Sequence, residues 1–216
     1  MSWAEVKHAL NSTLGENGFS SLDKMIQGGV KRFTENGTFT VPDGVYKILI
    51  TACAGGERGG YKPNPPVDGG QGGEWVFKSP YIVSPGDSIS ITVGEGGTNS
   101  SSLGGNTIIG SLLTLLGGGV PGNITGGYPS YTESDQKLNF YIGYAAGGGF
   151  SRGGKFYMAK YSGDSYRMCG GGGGSLGPGA NAESNTSAGF GGGGGGTTES
   201  SYACINGGNG IVIIEW

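Results

Sequence analysis

The sequence predicts a mainly β protein: an antiparallel β-sandwich-like scaffold with a packed bundle of polyglycine II helices, preceded by a short N-terminal α-helix. Three observations lead to this prediction. Short apolar segments with β-like alternation recur along the chain, 51 of the 216 residues are glycine, and from Gly55 onward the glycines are grouped in blocks such as Gly191 to Gly196. Glycine loses more backbone freedom on folding than any other residue, so the blocks either stay flexible or pack in a way that only glycine permits.

The first 29 residues have a different pattern from the rest. Ser2 and Glu5 form a capping box, and Trp3, Val6, Leu10 and Leu14 follow at roughly helical spacing. We therefore expect a short helix over about 3–14, within an N-terminal attachment segment of residues 1–29 that joins the domain to an assembly. Residues 30–216 are expected to form one glycine-rich domain.

The β region begins directly after this segment. Segments 31–34 and 38–41 flank Asn36-Gly37, and Asn-Gly between alternating residues is the strongest short hairpin signal, so a hairpin is predicted here. After the Pro42-Asp43-Gly44 turn, Val45 to Cys53 is predicted to be a strand with Ile48 and Ile50 on one face.

Further strands are predicted over 74–78 and 88–93, joined across Pro85-Gly86-Asp87, and over 107–109 and 112–116 as a hairpin around Gly110-Ser111. The last predicted strand is 211–216. A strand at a chain terminus is normally tied into a sheet of earlier strands, so the strands should bracket the glycine-rich middle in a single domain.

The glycine blocks are unlike those of flexible linkers, because ten Phe and Tyr residues stand between Gly127 and Gly170. The alternative is the extended left-handed helix of the polyproline II type, which has no internal hydrogen bonds. Several such helices made of glycine can lie side by side in backbone contact and exchange N–H···O bonds. The residues between blocks then emerge at the helix ends as loops.

Composition and charge argue against several classes of function. Charged residues make up 13% of the chain and the net charge is −3, so no basic stripe exists to neutralise phosphates and we expect no nucleic-acid partner. There is no run of 18 apolar residues and no secretory signal pattern at the start, so neither membrane insertion nor secretion is expected. The three cysteines, Cys53, Cys169 and Cys204, are too far apart for a zinc site and are interpreted as buried small apolar residues.

Catalysis is not expected. His8 is the single histidine, which removes histidine triads and multi-histidine metal sites. Gly149 to Lys155 comes close to a phosphate-binding loop, but Phe156 stands where a magnesium-holding Ser or Thr is needed. We therefore expect no catalytic residues, no metal and no cofactor.

Several motifs occur in an order that is more specific than glycine content. They are Phe39-Thr-Val-Pro-Asp-Gly-Val45, Ala54-Gly-Gly56, Gly69-Gly-Gln-Gly-Gly73, Ser84-Pro-Gly-Asp87, Val93-Gly-Glu-Gly-Gly97 and Gly207-Gly-Asn-Gly-Ile-Val-Ile-Ile-Glu-Trp216. Over about residues 33–216 the chain resembles the glycine-rich domain at the ends of bacteriophage tail-fibre and related receptor-binding proteins. The resemblance implies a virion protein of the phage tail tip, in which parallel polyglycine helices form a rigid sandwich and variable loops contact the host surface.

This resemblance implies an adhesin whose inter-block segments bind a bacterial surface glycan or envelope protein, while the N-terminal segment attaches to other fibre or baseplate proteins. Tyrosine gives large contact area at low entropy cost and has a polar tip. The candidate receptor-binding residues are Tyr61, Tyr128, Tyr131, Tyr141, Tyr144, Arg152, Tyr157, Tyr161, Tyr166 and Tyr202.

Three alternatives remain open from the sequence. A purely structural tail module would use its loops to contact other virion proteins. An ice-binding protein of the polyglycine-helix type should have regular Gly-x-x repeats, which the irregular aromatic insertions oppose. The extracellular glycine-rich domain of anaplastic-lymphoma-kinase-type receptors has a similar series of motifs, but it belongs to secreted, disulfide-bearing chains.

Overall fold

The computed structural model describes residues 28–60, 69–99, 101–121, 140–144, 151, 155–162, 165–169, 172–181, 187–197 and 206–216. Within these ranges the chain forms eleven strands and no helix. The strands are β1 (Val30–Phe33), β2 (Gly37–Thr40), β3 (Lys47–Cys53), β4 (Trp75–Ile82), β5 (Ser88–Thr92), β6 (Thr107–Ile109), β7 (Leu113–Leu115), β8 (Phe140–Tyr144), β9 (Lys155–Ser162), β10 (Ser165–Cys169) and β11 (Ile211–Glu215). The predicted mainly β class is confirmed.

The first sheet is antiparallel, with the order β1-β11-β3-β4. Its two central strands, β11 and β3, are largely apolar. Ile48 and Ile50 of β3, which were predicted to share one face, are both fully buried, and Val212 and Ile214 of β11 are also buried. Strand β11 is held between β1 and β3, which confirms the prediction that this last strand is tied into a sheet of earlier strands.

The second sheet is also antiparallel, with the order β2-β5-β6-β7. Phe39, Ile89, Ile91 and Ile109 of this sheet join the buried residues of the first sheet in one core cluster. The ring of Phe39 lies 5.3 Å from that of Trp216, centre to centre. The two four-stranded sheets therefore enclose a common core.

Three of the predicted turns are confirmed. At Pro42-Asp43-Gly44 the N–H of Val45 donates to the carbonyl of Pro42 at 3.2 Å, and Gly44 has a φ of 80°. β6 and β7 pair as a hairpin in which Thr107 lies opposite Leu115, and Gly110 takes a positive φ of 49° in the turn. At the Pro85-Gly86 turn, the N–H of Asp87 donates to the carbonyl of Ser84 at 3.0 Å, and Gly86 has a φ of 84°. Glycine tolerates this left-handed conformation without the steric penalty of a side chain.

The hairpin predicted around Asn36-Gly37 is wrong. β1 pairs with β11 in the first sheet, whereas β2 pairs with β5 in the second. The chain crosses between sheets here, and the side chain of Asn36 is used in the crossing, since its Oδ1 accepts a hydrogen bond from the N–H of Val93 at 2.9 Å. Phe33 and Phe39 lie on either side of the crossing and are both buried, so burying both rings in the shared core outweighs the local turn preference.

A third, three-stranded antiparallel sheet has the order β10-β9-β8. These segments were predicted to be loops between glycine blocks, and for β8, β9 and β10 that prediction is wrong. β4 also continues to Ile82, four residues beyond its predicted end. Strand β4 can include Pro80 because it is an edge strand. Proline has no backbone N–H, and on the open side of an edge strand no neighbouring strand needs that donor.

The predicted N-terminal helix lies outside the described residues. Gly28 and Gly29 are described, and Gly29 exchanges two backbone hydrogen bonds with Trp216, at 2.9 and 3.0 Å. No helix long and apolar enough to cross a membrane is found in the described part of the chain.

The two four-stranded sheets have two distinct ends. At one end, which we call the array end, β3, β5 and β7 run into glycine-rich segments and β4, β6 and β11 emerge from them. At the other, the turn end, lie the turns 42–46, 83–87 and 110–112, the C-terminal Trp216 and Gly28-Gly29, where the described domain begins. The loops of the array end are thus separated from Gly28-Gly29 by the length of the strands.

Candidate functional site: the glycine array

Residues 54–60 run through the centre of the array end and belong to neither a helix nor a strand. Their backbone groups bond to other glycine-rich segments and not to one another. Six neighbouring segments take part: 69–74, 94–97, 101–105, 117–118, 194–197 and 207–208. A chain with neighbours on so many sides is the core of a packed array, not a tether.

The hydrogen bonds of this segment repeat every three residues. The N–H groups of Ala54 and Glu57 both donate to segment 69–74, through the carbonyls of Glu74 at 2.9 Å and Gln71 at 2.8 Å. The N–H groups of Gly55 and Arg58 both donate to segment 101–105. On the acceptor side, the carbonyls of residues 57 and 60 both bond to segment 194–197. Residues three apart therefore face the same neighbour.

The same interval appears between two other segments. The N–H groups of Gly70 and Gly73 donate to Gly194 and Gly191, at 2.7 and 2.8 Å. In an extended strand, alternate residues face a given neighbour, whereas here every third residue does. The glycine-rich segments consequently pack by a rule different from that of the sheets beneath them.

The packing distance leaves no room for side chains. A Cβ atom on Gly104 would overlap the carbonyl of Gly55, and one on Gly117 would overlap the carbonyl of Gly104. One on Gly55 would overlap the carbonyl of Glu95. In each case the obstacle is backbone and not the movable end of a side chain. Glycine is required at these positions because neighbouring main chains touch.

Polar side chains complete the hydrogen bonding of the array where a backbone partner is missing. Asn209 Oδ1 accepts from the N–H of Gly96 at 2.8 Å, Asn106 Oδ1 from Gly117 at 2.9 Å, and Gln71 Oε1 from Gly119 at 3.1 Å. The carboxylate of Glu57 accepts from the N–H of Gln71 at 2.8 Å. These residues were not predicted from the sequence, where their signal was a single amide or carboxylate side chain within or beside a glycine block.

The array is joined to the sheets through buried polar contacts. Thr107, fully buried at the start of β6, donates from Oγ1 to the carbonyl of Cys53 at 2.9 Å and accepts from the N–H of Gly94 at 3.0 Å. Ser175, also fully buried, donates from its hydroxyl to the carbonyl of Gly73 at 2.7 Å. These bonds connect strands of both sheets to the array, so array and sandwich form a continuous structure.

Cys53 lies at this junction and is fully buried. Burial raises the pKa of its thiol to about 12, while hydrogen bonds with Ile211, Ser175 and Leu176 act in the opposite direction. A thiol held neutral is neither a nucleophile nor a metal ligand. The prediction of a buried, apolar role is confirmed for Cys53; Cys169 lies on β10, and Cys204 lies outside the described residues.

The predicted receptor-binding residues divide into two groups. Tyr141 and Tyr144 are on β8, Tyr157 and Tyr161 on β9, and Tyr166 on β10, so the third sheet brings together five of them. The other five, Tyr61, Tyr128, Tyr131, Arg152 and Tyr202, lie outside the described residues.

The strand register relates these positions to one another. Ile142, Tyr157 and Cys169 form one row across the three strands, and Tyr141, Met158 and Met168 form the next. The pairing of β9 with β10 shifts register between Ser165 and Tyr166. In sequence, the signal for this sheet was present: two residues, Gly163-Asp164, separate two runs rich in tyrosine and methionine, a spacing typical of a hairpin.

A search of curated proteins finds none that matches the chain. The model of a protein family described as a glycine-rich domain matches residues 33–216. That range takes in all of the strands except the start of β1, together with every segment of the array described above. This chain belongs to the glycine-rich domain family.

Proposed function

We propose that the protein is a tail-fibre tip adhesin of a bacteriophage or prophage, which binds a receptor on the host cell surface and performs no catalytic step. The observation that carries the proposal is the separation of the two ends of the domain. The glycine array lies at one end of the sandwich, and the described chain begins at the other. This arrangement suits a protein that is attached at one end and binds at the other.

The array supplies what a receptor-binding surface needs. Loops bind tightly when they are held in place before contact, since ordering them on binding costs affinity. Main chains that are bonded to several neighbours, such as 54–60, provide fixed points from which loops emerge. Loops on a rigid scaffold can differ in sequence without changing the scaffold, which suits recognition of variable host surfaces.

The bundle of polyglycine II helices belongs to the same proposal. Such helices have three residues per turn and no internal hydrogen bonds. The three-residue interval of the bonds from 54–60, and of those from Gly70 and Gly73, supports this conformation. The close contact between glycine main chains also supports the polyglycine II conformation, because only residues without a Cβ atom can lie against several neighbouring main chains at once.

The proposal assigns attachment to residues 1–29 and recognition to the aromatic segments. The N-terminal segment, with its predicted helix, would join fibre or baseplate proteins at the tail tip of the virion. The ten predicted residues would contact a glycan or an outer envelope protein. Five of them are supported as a group by their shared position in the third sheet.

The test is adsorption of the purified, fluorescently labelled protein to a panel of bacterial strains. A variant that lacks residues 128–139, and so keeps strand β8, serves as the control for the proposed recognition segment. Strain-selective binding that is lost in this variant is the expected result. If folded protein binds no strain, the adhesin proposal fails, and a structural module that contacts other virion proteins becomes the better account.

A substitution separates recognition from assembly. Tyr157→Ala should abolish adsorption of the virion while leaving incorporation of the protein into particles unchanged. Loss of incorporation with adsorption of the purified protein intact would instead identify the third sheet as an assembly surface.

A further inference from the structure

A groove of about 400 Å³ lies at the array end, beyond the ends of β5 and β6. Its volume is within the ~300–1,000 Å³ range of small-ligand sites. The groove is lined by Glu95, Thr98, Ser101, Leu103, Asn106 and Val120, which we call its walls, and by Gly96, Gly104 and Gly105, which we call its floor. The groove is therefore on the side of the molecule that the proposed function assigns to recognition.

The floor offers few free donors. The N–H of Gly104 donates to Gly118, that of Gly105 to Glu95, and that of Gly96 to the side chain of Asn209. Because these amides are bonded within the array, hydrogen-bond donors for a ligand have to come from the side chains of the walls. The same bonds fix the floor in place before any ligand arrives.

Asn106 is oriented by the array. Its Oδ1 accepts from the N–H of Gly117 at 2.9 Å, which determines the direction of the amide group and leaves its two N–H donors on the other side. Thr98 and Ser101 are exposed hydroxyl residues, and their own turn is closed by the Thr98 N–H bonded to the carbonyl of Ser101 at 2.6 Å. The walls thus combine fixed amide donors with hydroxyls.

Charge and apolar surface define the ligand class. Glu95 is the one ionisable residue among the described residues that line the groove, so an anionic ligand would be repelled. A carboxylate accepts hydrogen bonds from hydroxyl groups. Leu103 is 43% exposed, and with Val120 it offers an apolar surface to the C–H face of a ring. A ligand that matches these groups is uncharged, has hydroxyls that can donate and accept hydrogen bonds, and has an apolar C–H face. A neutral sugar has all three properties.

We propose that this groove binds a neutral saccharide unit of a surface glycan. The inference rests on the proposed function, and it assigns part of the recognition to a site whose described lining residues include no aromatic residue. The hydroxyls of the sugar would donate to Glu95 and accept from the amide of Asn106, with the ring lying on Leu103 and Val120.

The test is titration of the isotopically labelled full chain with maltotriose, globotriose and chitotriose, followed by backbone amide shifts, with 3′-sialyllactose as an anionic comparison. At least one neutral trisaccharide should shift the amides of residues 95–106 in a saturable manner, and sialyllactose should not. If no neutral trisaccharide shifts these amides, or if the shifts lie elsewhere, the proposal is overturned.

Two neighbouring exposed serines give a matched pair of variants. Ser101→Trp fills the groove and should weaken trisaccharide binding at least tenfold, whereas Ser102→Trp, whose side chain is not part of the lining, should stay within twofold of the parent. Glu95→Gln should weaken binding about fivefold. Equal affinity of Ser101→Trp and the parent would exclude the groove.

Cell adsorption keeps the two proposals separable. If the parent adsorbs to bacteria and no trisaccharide binds at residues 95–106, the groove proposal is wrong and the adhesin proposal stands. If the groove binds a trisaccharide and the protein adsorbs to no strain, the sugar site stands and the adhesin proposal is wrong.

Discussion

At the scale of single residues, glycine serves two different purposes in this domain. Gly86 needs the backbone freedom of glycine, because its φ is 84° although a Cβ atom at this position would meet nothing within 4 Å. Gly104 has an ordinary φ but no space, because its Cβ would overlap the main chain of Gly55. The first requirement is conformational and local, and the second is steric and extends through the array.

Substituting these two glycines separates the two requirements. Gly86→Ala should reduce the free energy of unfolding by about 1 kcal/mol, the usual cost of a left-handed alanine. Gly104→Ala should reduce it by about 3 kcal/mol or prevent folding, because main chain cannot move aside as a side chain does. Guanidinium denaturation of both variants measures the difference, and equal costs would contradict close packing of the array.

Cys53 makes stability depend on pH in the alkaline range. In the unfolded chain its pKa is near 9.0, and in the folded protein burial raises the pKa to about 12. Between these values the unfolded thiol releases its proton and the folded thiol does not, so raising the pH favours unfolding. The stability that depends on the neutral Cys53 thiol is fully present well below pH 9 and is lost progressively as the pH rises from about 9 toward 12.

At pH 10, which is one unit above the pKa of the unfolded thiol, Cys53 should lower the free energy of unfolding by about 1.4 kcal/mol. Other groups titrate in this range as well, so the measurement compares the parent with Cys53→Ala at pH 7 and pH 10. The parent should lose more stability than the variant between the two pH values. Identical losses would show that the thiol is not buried in a dry environment.

At the scale of elements, β4 carries a bulge. Ile50 lies opposite Ser79, but Ala52 lies opposite Val76, so β4 has one more residue than β3 across this interval. Lys78 is at this position with a φ of 47°, a conformation that favours glycine. Its N–H donates to Oγ1 of Thr51 at 3.1 Å, and its ammonium group lies 3.2 Å from the carboxylate of Glu215.

Lys78→Gly should therefore raise the free energy of unfolding by about 1 kcal/mol, because relief of the left-handed strain outweighs a half-exposed ion pair worth little in water. Lys78→Gln, which keeps the strain and removes the charge, should change stability by less than about 0.5 kcal/mol. Thermal unfolding of the two variants tests this. A Lys78→Gly variant less stable than the parent would mean that the ion pair or the side-chain packing dominates.

Elements differed in how well the sequence predicted them. β3, β11 and the β6–β7 hairpin have strong apolar patterns or tight turns, and these local signals agree with the final pairing. The hairpin predicted from Asn36-Gly37 was wrong because the partners of β1 and β2 are decided by the core that the two sheets share. That core is a non-local feature, which a local turn signal does not report. β8, β9 and β10 were predicted to be loops because they lie between glycine blocks, and the residues that separate glycine blocks were all expected to be loops.

The candidate site was predicted only in outline. Close packing of glycine blocks followed from their aromatic surroundings and is supported by the contacts of Gly55 and Gly104. The groove beside Glu95 and Asn106 could not be predicted, because it is formed by segments that are far apart in sequence, including Val120. No pattern within one segment records which other segments will lie beside it.

At the scale of the whole molecule, two kinds of packing are joined end to end. The sandwich is held by a core of apolar side chains, and the array by hydrogen bonds and contacts between main chains. Thr107, Ser175 and Cys53 are buried where the two meet. Because strands continue directly into array segments, loss of order in the array would expose the end of the core, and we expect the two parts to unfold together.

Native-state hydrogen exchange of the glycine amides tests most directly whether the glycine blocks form a fixed scaffold. The amides of Gly55, Gly104 and Gly193 donate to other segments at 2.8 to 3.0 Å. Their exchange should require an opening free energy close to that of Ile50 in the central strand β3. Exchange of these glycine amides at the rate of an unstructured chain, with Ile50 still protected, would contradict the account.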